Sequence, residues 1–273
     1  MAHSDGSTIS ATHNPEAATQ AAQALLSDPG LPPVPPAAAD CHVELPGGYV
    51  NLSTGTVSKE AEVRELNGED EEAISRVLDN LPRYLDTILV RGVVSVGNDV
   101  ATKELLDGLL AGDRDALLVG IRRATFGDGV SYRATCSACG KAQESTVSLS
   151  EDLSVDTLDD VSERKFSIDL PSGTTVEVTL PDGAVSKALA GSSDKTEGAL
   201  NTILLGKTVK SINGFPVFAD DQVRKLSIRD RRAILKELAE RNPGPRFGEV
   251  SRPCDECGEK IPLPLNMVDL FLV

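Results

Sequence analysis

Four of the five cysteines fall into two matching knuckles, Cys136-Ser137-Ala138-Cys139-Gly140 and Cys254-Asp255-Glu256-Cys257-Gly258. A C-x-x-C step sets two thiolates on one side of a metal ion, and zinc takes four soft ligands in a tetrahedron. The glycine after each second cysteine suits a tight turn in which backbone amides approach the sulfurs. One knuckle supplies half a coordination shell. Cys136, Cys139, Cys254 and Cys257 are therefore expected to share one structural Zn2+ per chain. A redox dithiol is the rival reading, but it needs a thioredoxin-like βαβ setting and an exposed, low-pKa cysteine. Here each pair follows one expected strand and precedes another. A catalytic zinc keeps an open position, usually beside histidine or carboxylate ligands. The histidines are His3, His13 and His42, so four thiolates would close the shell. Cys41 and His42 are neighbours, and on an extended strand neighbours point to opposite faces. Cys41 thus reads as a packed or idle thiol.

Other reactive patterns are missing. There is no phosphate-cradling glycine loop with Lys and Ser or Thr, no G-x-S-x-G and no H-E-x-x-H, so an enzyme is not expected. Lys plus Arg total 27 against 42 Asp plus Glu, a net charge of −15, which opposes direct nucleic-acid binding because phosphates require surplus cation. Aromatic residues make up 3% of the 273 residues, so the core must be aliphatic and base-stacking platforms are scarce. Apolar residues reach 40%, enough for a real core. No apolar run approaches the roughly 18 residues of a membrane span, and the first residues do not resemble a secretory signal; a cytosolic origin without a disulfide framework follows. One basic cluster interrupts the acidic chain: Arg224, Lys225, Arg229, Arg231, Arg232 and Lys236. It is either the solvated face of a helix or a docking surface for an acidic partner.

Several elements must position the knuckles. Residues 1–40, rich in Ala and Pro, are expected to form a flexible arm, with a short helix conceivable at 16–26. Residues 43–50 read as strand, tight glycine turn and second strand, with a third strand at 61–66. After Asn67-Gly68, the acids Glu69, Asp70, Glu71 and Glu72 suit a helix start, and Ile74, Val77, Leu78 and Leu81 would form its apolar face. The β-branched run 88–96 fits a buried strand, with a helix end as the alternative. A helix over 103–110 is expected to stop at Gly112, and Asp113 to cap the next, 114–123. A turn at 125–129 then leads through a strand, 130–135, to Cys136.

The second half repeats this order. Leu45-Pro46-Gly47-Gly48 is echoed by Leu170-Pro171-Ser172-Gly173. The helix beginning Gly112-Asp113-Arg114 is echoed by Ile228-Arg229-Asp230-Arg231, and the knuckles echo each other. After each knuckle an apolar strand with a Leu-rich end is expected, at 146–153 and 261–270. These landmarks predict an α+β fold of two related β-hairpin/helix/zinc-knuckle halves, 41–153 and 154–273, sharing one zinc site of four cysteines.

The run from Leu105 to Gly127, with its Gly112-Asp113-Arg114 and Leu117-Leu118 core and Ile121-Arg122, joined to Tyr132 and the first knuckle, resembles the baseplate hub assembly proteins of T-even-type tailed phages. Val63-Arg64-Glu65-Leu66, the Glu71-Glu72 pair and the late Cys254–Cys257 knuckle with its apolar tail share the resemblance, which extends from about residue 43 to the end. Ser137 stands where that family usually has proline. The resemblance implies a non-enzymatic baseplate hub component or assembly factor with chaperone-like character, found in the virion tail or in the host cytoplasm during assembly. Its implied partners are other tail, baseplate or tail-tube proteins. Asp113, Arg114 and Arg122 are candidate structural anchors between helix and knuckle. A zinc-ribbon adaptor on the transcription machinery is the alternative function.

Overall fold

In the computed structural model, the described residues are 41–271 apart from 52, 193, 264, 268 and 269. The arm expected over 1–40, and the helix at 16–26 within it, lie outside the described residues. The chain runs through β1 (His42–Val50), β2 (Val57–Val63), α1 (Gly68–Ser75), α2 (Leu81–Gly92), β3 (Val93–Val96), β4 (Asp99–Val100), α3 (Lys103–Gly108), α4 (Ala111–Phe126), β5 (Gly129–Thr135), β6 (Ala142–Ser148) and β7 (Val155–Asp156). It continues through β8 (Lys165–Asp169), β9 (Thr175–Thr179), α5 (Gly183–Ala190), α6 (Glu197–Thr208), β10 (Val209–Ile212), β11 (Phe215–Pro216), α7 (Asp220–Arg224), α8 (Ile228–Arg241), β12 (Gly244–Pro245), β13 (Ser251–Pro253) and β14 (Lys260–Pro262). This is a mixed helix-and-sheet fold.

Two four-stranded antiparallel sheets, ordered β1-β2-β3-β4 and β8-β9-β10-β11, carry the helices, and β5–β6 and β13–β14 are two-stranded ribbons. Strand pair, two helices, strand pair, two helices and ribbon thus follow one another first over 42–148 and then over 165–262. Aliphatic side chains fill the cores, as the scarcity of aromatics requires. Leu45, Ile88, Leu89, Leu106, Leu117 and Ile121 centre one cluster, and Val176, Val178, Leu205, Val223 and Ile234 another. A third cluster gathers both ribbons: Val130, Val147, Leu149, Leu153, Ile261, Leu263, Leu265 and Leu270. The Leu-rich stretches after the knuckles therefore pack against one another. As strands they are shorter than expected, with β6 ending at Ser148 and β14 at Pro262.

Local chemistry explains where the structure departs from sequence expectation. Residues 43–50 form one strand, not two: β1 pairs Glu44 with Glu60 and Tyr49 with Ser58, so five steps face two and Leu45-Pro46-Gly47-Gly48 bulges from the ladder. The chain reverses instead at 51–56, where the Asn51 side chain accepts the Ser53 amide. The second copy of the motif does make a hairpin turn, between β8 and β9, with Gly173 at φ 84°.

Asn67 caps α1 by accepting the Glu69 and Asp70 amides, and Asp70 reciprocates at the Asn67 amide. The helix ends at Ser75, because Asn80 caps a new one with Pro82 in its first turn. Leu78 and Leu81 consequently lie 58% and 46% exposed instead of on an apolar face. The run 88–96 is divided, as α2 persists to Gly92 and β3 begins at Val93.

Gly112 does not stop a helix. α3 already ends at Gly108, Leu110 stands at the start of α4, and Gly112 lies in that helix's first turn. A Cβ there would sit 1.7 Å from the Pro243 carbonyl oxygen, so glycine is what lets α4 meet the 243–244 segment. Asp113 is not the cap either. It is the third residue of α4 and accepts the Gly47 amide at 2.6 Å.

Candidate metal centre

Each knuckle sits at the tip of a ribbon. β5 and β6 close at Thr135↔Ala142, and β13 and β14 at Pro253↔Lys260. The two tips share one hydrogen-bond pattern. The Cys136 amide donates to the Lys141 carbonyl and the Gly140 amide to the Cys136 carbonyl; the Cys254 amide donates to the Glu259 carbonyl and the Gly258 amide to the Cys254 carbonyl. Gly140 and Gly258 have φ of 74° and 73°, a left-handed conformation that side chains other than Asn and Asp rarely tolerate. This turn aims the Lys141 and Glu259 amides at the sulfurs of Cys139 and Cys257.

The structure brings Cys136, Cys139, Cys254 and Cys257 together, with all four sulfurs within 4.8 Å of one another. The shortest approaches cross between knuckles: Cys136 Sγ lies 3.6 Å from Cys257 Sγ, and Cys139 Sγ 3.6 Å from Cys254 Sγ. Those separations exceed the roughly 2.05 Å of a disulfide. They match the roughly 3.8 Å edge of a tetrahedron drawn with Zn–S bonds of about 2.3 Å. Cys136 and Cys254 are buried, while Cys139 and Cys257 face solvent. Amides of Cys257 and Glu256 draw the Cys254 thiol down to about 7. The Glu259 amide favours the Cys257 thiolate too, yet burial and the sulfurs of Cys139, Cys136 and Cys254 push this thiol up to about 12. The Cys257 thiol thus resists deprotonation unless a cation replaces its proton. The donor set is all sulfur, and it suits a soft divalent ion held without an open corner.

Contacts that sequence reading missed hold the knuckles together. Gln143 donates to the Pro253 carbonyl at 3.1 Å and accepts the Asp255 amide at 3.0 Å. Lys141 pairs with Glu256 at 2.6 Å, and Arg252 pairs with Asp152 across the ribbons. Nothing in the sequence marked Gln143 beyond a polar residue in a strand. Cys41 stands apart from the cluster, and His42 lies 3.6 Å from Glu60.

The three candidate anchors are all buried, but they do different work. Arg122 donates to the carbonyls of Gly127 and Gly129 at the entrance to β5 and lies 4.9 Å from the Phe126 ring, so it does tie α4 to the knuckle strand. Asp113 and Arg114 do not. Asp113 reaches Gly47 in β1, and Arg114 reaches Asp86 in α2 and the Leu106 carbonyl in α3. In the basic cluster, Arg231 is turned inward, donating to the Val223 and Gly198 carbonyls and to Thr202.

Among the described residues no helix is long and apolar enough to cross a membrane. Fold and cluster together define a mixed helix-and-sheet protein whose two cysteine knuckles meet in a four-sulfur cluster that could hold a metal ion. The chain belongs to the family described as T4 bacteriophage base plate protein, whose model matches residues 39–214. That stretch takes in the first knuckle and ends ahead of the second, short of the resemblance read from the sequence. No curated protein and no solved structure matches the chain. It is a phage baseplate protein.

Proposed function

We propose that the chain is a non-enzymatic component of the baseplate hub, or the factor that assembles it, with one structural Zn2+ held by Cys136, Cys139, Cys254 and Cys257. On this reading it works in the virion tail, or in the host cytoplasm during assembly, against other baseplate or tail-tube proteins. The family match supports the setting, and the four-sulfur cluster carries the rest. A cage with no vacant corner suits holding parts in place, not turning over a substrate.

We also read residues 41–153 and 154–273 as related halves. The repeated element order supports this, and so does one hydrogen bond made twice. The amide of the third residue in Leu45-Pro46-Gly47-Gly48 meets the third residue of α4 (Gly47 to Asp113, 2.6 Å). The amide of the third residue in Leu170-Pro171-Ser172-Gly173 meets the third residue of α8 (Ser172 to Asp230, 3.1 Å). Zinc bound across both knuckles would clasp the halves.

The test is removal of the gene from the phage, followed by electron microscopy and mass spectrometry of the purified tail structures. Tails lacking complete baseplates, restored by the wild-type gene, are expected. Intact infectious particles, with the protein copurifying instead with the host polymerase, would overturn the reading.

A further inference from the structure

The two long helices each form one wall of a groove, and the two grooves differ in what covers them. In the first, Arg114 of α4 donates to the Leu106 carbonyl of α3 at 2.7 Å and to Asp86 of α2 at 2.5 Å. In the second, Arg231 of α8 donates to the Val223 carbonyl of α7 at 3.2 Å and to Thr202 of α6 at 2.9 Å. Arg114 and Arg231 hold the same place in their helices, as do Asp86 and Thr202 in theirs. The grooves therefore correspond wall for wall.

Helix α5 lies across the first groove, contributing Ser186, Lys187 and Ala190 to its lining. Lys187 reaches Asp86 at 3.1 Å and also pairs with Asp107 of α3. Asp86 and Asp115 are the two carboxylates of the lining. The second groove is lined by α6, α7, α8 and the residues beside them, with no covering helix in its lining. Its lining is cationic: Thr202 and Arg224 hold the places that Asp86 and Asp107 hold in the first half, and Lys195, Arg231 and Ile228 line it as well. Arg224 and Lys195 are exposed, Arg224 pairs with Asp221 of its own helix at 3.0 Å, and the one carboxylate in the lining, Asp220, is turned against Gly206.

The counterpart of α5 in the first half is α1. Both are eight-residue helices preceding the groove helix, capped by Asp182 and Asn67 respectively. Aligned on their caps, the positions of Ser186, Lys187 and Ala190 become Glu71, Glu72 and Ser75, and all three are exposed. Where α5 brings a lysine to Asp86 and Asp107, α1 offers Glu71 and Glu72, opposite in sign to Lys195, Arg224 and Arg231 of the second groove.

We propose that the second groove receives α1 of another copy of this chain, so that copies join head to tail through the contact that α5 already makes within one chain. The contact is heterologous, and repetition closes a ring or extends a filament according to the rotation between copies. This inference rests on the reading of two related halves, and not on the zinc or the baseplate role.

Light scattering behind size exclusion, on the full-length protein over a range of concentrations, tests it. Wild type should associate beyond the monomer. E71R/E72R, and separately K195E/R224E, should each weaken association by about tenfold or more, since like charges then face each other. Mixing the two variants should restore association, because the reversed helix fits the reversed groove. Circular dichroism and metal content unchanged from wild type show that each variant is folded. A wild type that stays monomeric, as it would if a different tail protein filled the groove, overturns the proposal. So do oligomers indifferent to the reversals, or a mixture that stays dissociated. Metal content and the gene-removal phenotype report on the functional reading separately.

Discussion

The Gly47 amide lies 2.6 Å from Asp113 Oδ1, across 66 positions of sequence, and it ties the bulge of β1 to the first turn of α4. Asp230 makes the matching bond to Ser172, but it also accepts the hydroxyl of Ser227, the cap of its own helix, at 2.7 Å. The cap position of α4 is Leu110, which has no hydroxyl to give, so Asp113 Oδ2 is buried without a hydrogen-bond partner. The two carboxyls behave in opposite ways. The Ser227 hydroxyl, opposed by burial, holds Asp230 below the usual range. Burial pushes Asp113 up to about 6, against the Gly47 amide and the Arg164 charge.

A pH effect with a definite sign follows. Because the folded-state pKa of Asp113 exceeds the unfolded value, the native protein binds the extra proton. Its contribution to stability is fully present below about pH 4 and is lost as pH rises through about 6. Urea unfolding across this window should show wild-type stability falling relative to that of D113N as pH rises, because only the wild type loses a proton at position 113. A parallel pH dependence in the two proteins would count against the assignment. D113A, which leaves the Gly47 amide without its acceptor, should cost about 1–3 kcal/mol below about pH 4, and less as pH rises because it too lacks the titrating carboxyl.

Close backbone approach at Gly112 is equally open to test. G112A places a methyl on the Pro243 carbonyl and should destabilise by about 1–3 kcal/mol or more, the usual cost of overpacking. G108A, at the end of α3 where a Cβ meets nothing within 4 Å, should be neutral or stabilising by about 0.4–1 kcal/mol. Thermal melts of both variants decide it. Equal losses would mean that Gly112 is not a packing contact.

How far the sequence was readable depended on whether the relevant chemistry was local. The knuckles were legible because C-x-x-C-G carries its own turn. The start of α1 was readable because the acids Glu69 to Glu72 act on the helix dipole within one turn. Long-range partners decided the rest. Nothing beside Gly112 in the sequence points to Pro243, and Leu45-Pro46-Gly47-Gly48 looks like a hairpin turn until Asp113 and the unequal pairing with β2 make it a bulge. The run 88–96 is apolar except for Arg91 and Ser95, too short and too uniform for periodicity alone to locate the switch from α2 to β3 at Gly92–Val93. The contribution of Gln143 to joining the knuckles is likewise a cross-ribbon event with no local mark.

Coupling between the ribbons should be visible by hydrogen exchange. In C254S the altered knuckle lies in β13–β14, yet amides of β5 and β6 over 129–148 should lose protection as well, since one ion would hold both tips. Loss confined to 251–262 would show the ribbons to be independent. C41S, distant from the cluster, should leave both unchanged.

The central claim is one closed metal cage shared by two knuckles. Elemental analysis of the purified full-length chain, alongside amino-acid quantification, measures it directly. The account predicts about one zinc per chain, four thiolates to one ion, falling to none on replacement of both Cys136 and Cys254. No zinc, or two per chain, would contradict it.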